Sequence, residues 1–68
     1  MTDTEIAAFY DAVLALGLRQ RTPATWVWVD GSTRNVMARE ELARLTPEQG
    51  RLHLERIRDW VDGLKEKS

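Results

Sequence analysis

The sequence predicts an α+β fold: an N-terminal helix, a two-stranded antiparallel hairpin, a short helix and a long C-terminal helix. Three observations carry this. Apolar residues repeat at helical spacing at both ends of the chain. The middle holds "TWVWVDGSTRNVM", strand formers around an Asp-Gly turn signal. "TPEQ" supplies a second, strong helix start.

In "TDTEIAAFYDAVLALG", Ile6, Phe9, Tyr10, Val13, Leu14 and Gly17 follow i, i+3, i+4, i+7, i+8, i+11, the stripe of an amphipathic helix. Thr2 and Glu5 have capping-box spacing. Gly17 stands where a C′ glycine takes the left-handed conformation at no steric cost, and Leu18 after it can pack back on Val13. The helix is expected over residues 3–16. "LRQRTPAT" reads as a connector, with Pro23 suited to the approach to a strand.

Strands are expected over 25–29 and 33–37, joined at Asp30-Gly31 by a two-residue turn. Strand alternation places Trp26 and Trp28 on one face and Thr25, Val27 and Val29 on the other, and leaves open which face is buried. The two-residue turn sets Trp28 opposite Thr33, Trp26 opposite Asn35 and Val27 opposite Arg34. A one-residue bulge would instead bring Arg34 beside a tryptophan, in reach of a cation–π contact.

"AREELARL" continues as a short helix over 38–45. The long helix starts with Thr46 as N-cap, Pro47 at N1 and Gln49 at N3. It runs from 47 to 62 or beyond on the stripe Gly50, Leu54, Ile57, Val61, Leu64, with Gly63 as its stop and a frayed tail at 64–68. The expected core is Ile6, Phe9, Val13, Leu16, Val27, Leu42, Leu45, Leu54, Ile57 and Val61, with Trp60 beside it.

Residues 1–68 make one small domain. A chain of this size buries only about 60% of the surface its unfolded form exposes, so its core is marginal. With no cysteine there is no disulfide or thiolate metal site. That fits a reducing compartment and a cytoplasmic location, and makes a partner chain an attractive source of stability. A net charge of −1 lacks the basic excess of a typical nucleic-acid binder. No signal peptide or membrane span is expected.

The chemistry-bearing residues are few. His53 is the one histidine and supports neither a zinc pair nor a triad; it reads as a hydrogen-bonded boundary residue. Glu55, Asp59 and Asp62 share a helix face, as solvated partners for Arg51, Arg58 and Lys65. No catalytic residue, metal ligand or cofactor motif stands out. The chain reads as a non-catalytic protein-interaction module that docks on a larger protein or self-associates. Its expected contact surface is Trp26, Trp28 and Arg34 on the hairpin, flanked by Arg19 and Arg21, because Trp and Arg are enriched at binding hot spots. An unpaired hairpin edge offers a further route, addition of a strand from another chain. The alternative is a nucleic-acid-binding regulator in which the same arginines meet phosphates while the indoles stack on bases.

The helix–hairpin–helix order over 3–62, with "DGSTRNVMAREEL" as the best local match, resembles in layout the small phage head–tail joining protein W family. The resemblance implies a phage or mobile-element accessory protein. The short helix at 38–45 and the tryptophans depart from that pattern.

Overall fold

A computed structural model describes residues 1–67. The order is α1 (Asp3–Ala15), β1 (Arg19–Gln20), β2 (Thr25–Val27), β3 (Thr33–Asn35), α2 (Arg39–Ala43) and α3 (Pro47–Lys67). The α+β architecture is as expected, with one more strand: "LRQRTPAT" is not all connector, because Arg19 and Gln20 pair with β2. The sheet is antiparallel in the order β1-β2-β3. A two-residue strand of Arg and Gln has no apolar alternation to announce it. It forms because Gly17, at φ 103°, turns the chain back directly from α1.

The helix starts follow the expected chemistry. The Thr2 hydroxyl accepts from the Glu5 N–H at 3.2 Å, and Glu5 Oε1 accepts from the Thr2 N–H at 2.8 Å. The Thr2 backbone N–H first, and then the Thr2 side chain, hold the Glu5 carboxyl below its ordinary pKa. Thr46 and Gln49 make the same reciprocal pair at the head of α3, at 3.2 and 3.0 Å. The far end differs from expectation: α3 runs through Gly63 to Lys67 rather than stopping. Lys65 and Lys67 in the last turn complement the negative end of the helix dipole. Of the frayed tail expected at 64–68, Ser68 lies outside the described residues.

The hairpin register also differs. Cα partners are Thr25↔Asn35, Trp26↔Arg34 and Val27↔Thr33, one residue away from the two-residue-turn register. A type I′ turn needs positive φ at both Asp30 and Gly31. Only Gly31 has it, at 92°. The loop is therefore Val29-Asp30-Gly31, closed by Gly31 N–H to Trp28 O and Trp28 N–H to Ser32 O, both 2.9 Å. Asp30 Oδ1 accepts from the Ser32 N–H at 2.7 Å and steadies the extra residue.

This register decides which way the tryptophans point. Leu18, Trp26, Trp28, Arg34 and Val36 lie on the face toward the helices; Arg19, Arg21, Thr25, Val27, Thr33 and Asn35 lie on the face toward solvent. Trp26 is 2% exposed and joins Ile6, Phe9, Val13, Leu18, Val36, Leu42, Ile57 and Val61 in the core. Leu16, Leu45, Leu54, Trp28 and Trp60 pack against it, partly buried. Val27, expected in the core, is half-buried on the other face, because the larger indoles took the inner side. Trp28 is laid over Gly17; a Cβ there would meet its Nε1 at 3.4 Å.

Candidate functional site

The five residues read from sequence as a contact surface fall on different sides of the sheet. Trp26 is a core group, stacked on Tyr10 with ring centroids 5.8 Å apart and planes 6° off parallel. Trp28 is half-buried against Gly17. Arg34 faces inward, with Cζ 5.7 Å from the Trp60 ring centroid. The cation–π contact foreseen for a bulged register thus forms with a helix tryptophan, not with its cross-strand neighbour Trp26. Arg19 and Arg21 are exposed on the outer face, where Arg19 Nη1 donates to Leu18 O at 2.9 Å. The arginines of β1 and the indoles of β2 point in opposite directions. Of the three arginines, only Arg34 shares a face with the indoles.

Apart from the two-residue edge strand β1, two features of the sheet are exposed. The first is the outer face. No helix covers it, and Val29 at the hairpin tip is 81% exposed. The second is the edge of β3. Trp28/Ser32 and Ala24/Val36 are directly hydrogen-bonded pairs. In an antiparallel ladder such pairs alternate with non-bonded ones, so Trp26/Arg34 is bonded and Thr25/Asn35 and Val27/Thr33 are not. The backbone N–H and C=O groups of Thr33 and Asn35 consequently point away from β2, toward the free edge. Both residues are exposed.

β3 lies along α3. The Met37 N–H donates to His53 Nε2 at 3.3 Å, and Arg34 reaches Trp60. Three strand steps of about 3.3 Å match seven helical steps of about 1.5 Å, so strand and helix run side by side in opposite directions. Arg56, three residues after His53 and four before Trp60, stands on the same side of α3 and is exposed. Arg34 is half-buried, and its Nε has no hydrogen-bond partner among the described residues. No ion pair among those residues engages Arg34 or Arg56.

His53 is a boundary residue, stacked on Phe9 at 5.5 Å. Partial burial lowers its pKa, and the Arg34 and Arg56 guanidiniums lower it further against an opposing pull from Glu41. As an acceptor from Met37 it is neutral at Nε2. Tyr10 donates to Met37 O at 2.6 Å; burial raises its pKa, while Arg39, 5.4 Å above the ring, opposes the rise. Tyr10, Trp26, Asp11, Leu14 and Arg39 line an open cleft of about 600 Å³.

Glu55, Asp59 and Asp62 are exposed along α3. Among the described residues no group of three or more His, Cys, Asp or Glu could hold a metal ion, and no helix is long and apolar enough to cross a membrane. An ion pair on α3, Arg51 with Glu48 at 3.9 Å, is exposed, and pairs of that kind contribute little. No protein-family model, no curated protein and no solved structure matches this chain.

Proposed function

We propose that this chain is a non-catalytic protein-interaction module that takes an extended segment of a partner protein onto the free edge of β3. The supporting observation is the pair of exposed edge residues, Thr33 and Asn35, whose backbone donors and acceptors face away from β2. Strand addition gains affinity from main-chain hydrogen bonds and specificity from alternate side chains. β3 carries no proline or lysine, although it is short, its middle residue Arg34 is an inward-pointing charge, and the Met37 N–H beyond it is taken by His53. A chain without cysteine suits a reducing compartment, so the reading places the module in the cytoplasm.

The test is an ¹⁵N NMR titration with an eight-residue peptide of alternating Thr and Val. Strand addition shifts the Thr33 and Asn35 amides first. Asn35→Pro removes one edge donor at a position where an edge strand tolerates proline. It should abolish the shifts while leaving the far-UV circular dichroism unchanged. Shifts confined to the cleft around Tyr10 and Arg39 would contradict the reading. So would protection of the edge by a second copy of the chain.

A further inference from the structure

The free edge is flanked by positive charge that no ion pair among the described residues engages. Arg34 is the middle residue of β3 and points inward toward α3. A β-strand normally gives such a position to an apolar side chain, as it does at Val36. Here a guanidinium is half-buried instead, with one buried N–H unsatisfied and no carboxylate paired with it among the described residues. The guanidinium lies over the face of Trp60. A guanidinium without a carboxylate partner beside a strand edge favours an anionic acceptor there. Arg56, one helical turn from both Trp60 and His53, adds a second guanidinium on the same side.

A strand added to β3 sets one of its residues directly opposite Arg34. Directly opposed residues share a face, so that side chain points over α3 toward Trp60 and Arg56. Resting on the edge-binding reading, we infer that the partner segment is acidic, with an Asp or Glu opposite Arg34 whose carboxylate is held by Arg34 and Arg56. Guanidinium forks pair with carboxylates through two parallel N–H···O bonds, which fixes register as well as charge. The outer-facing side chains of the same segment face solvent alongside Thr33 and Asn35, so the acid preference belongs to alternate positions only.

The experiment uses the whole chain and three peptides that differ only at the fourth residue of the Thr/Val octamer: Glu, Gln or Lys. The Glu peptide should bind about two- to fivefold more tightly than the Gln peptide, and the Lys peptide most weakly. Added salt should narrow the gap. Arg56→Gln, an exposed change on α3, should reduce the Glu-over-Gln preference while the edge amides still shift. Arg34→Gln serves as a second variant, with circular dichroism to check folding. Equal affinity for all three peptides, with Thr33 and Asn35 still shifting, overturns the acid preference and leaves edge binding standing. No shift with any peptide overturns both.

Discussion

Trp26 stacks on Tyr10, 5.8 Å between ring centroids and nearly parallel, with the indole 2% exposed. This contact ties the central strand to α1 and makes the tryptophan side of the hairpin the buried side. Trp26→Ala should therefore cost about 3–5 kcal/mol, a large share of the stability of so small a domain. Val27→Thr, on the outer face, should stay within about 0.5 kcal/mol. Urea unfolding followed by circular dichroism separates the two; equal small losses would mean that the indole is not core.

Gly63 lies inside α3, and a Cβ built there meets nothing within 4 Å. Gly63→Ala should raise stability by about 1 kcal/mol, because alanine loses less backbone freedom in a helix. A helix that stopped at Gly63 would respond with destabilisation, as alanine would then be forced into a left-handed cap. A thermal melt reads the sign directly.

Gly17 and Gly31 both hold positive φ, at 103° and 92°. Alanine at either position should cost roughly 1–2 kcal/mol in backbone strain. The two costs should be similar, since a Cβ at Gly17 makes only an ordinary contact with Trp28 Nε1 at 3.4 Å and nothing lies within 4 Å at Gly31. Measured unfolding midpoints for the two variants check this.

The His53 pKa is lowered on folding, first by burial and then by the Arg34 and Arg56 guanidiniums. The unfolded chain then binds the proton more readily than the native one. Stability is full above the unfolded value near 6.5 and declines as the pH falls through and below it toward the folded value. Protonation also removes the acceptor at Nε2 that takes the Met37 N–H. Urea midpoints measured between about pH 8 and about pH 5 should fall at the acid end, and His53→Gln should flatten that slope.

Helix signals were legible in the sequence because they are local. The caps at Thr2 and Thr46, the C′ glycine at 17 and the apolar stripes each sit within a few residues of what they control. Two features were not local. β1 carries only Arg19 and Gln20, so its strand character comes from pairing with β2 rather than from its own residues. The hairpin register turned on the sign of φ at Asp30, and "DG" is compatible with both the two-residue turn and the three-residue loop. One residue of register separates a Trp26/Asn35 pair from the observed Trp26/Arg34 pair, which carries Arg34 to the side of Trp60. The candidate residues were therefore legible as a set, while their division between core, outer face and β3–α3 groove was not.

The free edge of β3 is tested most directly by amide hydrogen exchange on the isolated chain, residue by residue across the hairpin. Arg34 and Val36, bonded to β2, should be protected, while Thr33 and Asn35 exchange at nearly the rate of an open peptide. Protection of Thr33 and Asn35 equal to that of their neighbours, at any protein concentration, would mean that the edge is already occupied and would contradict strand addition there.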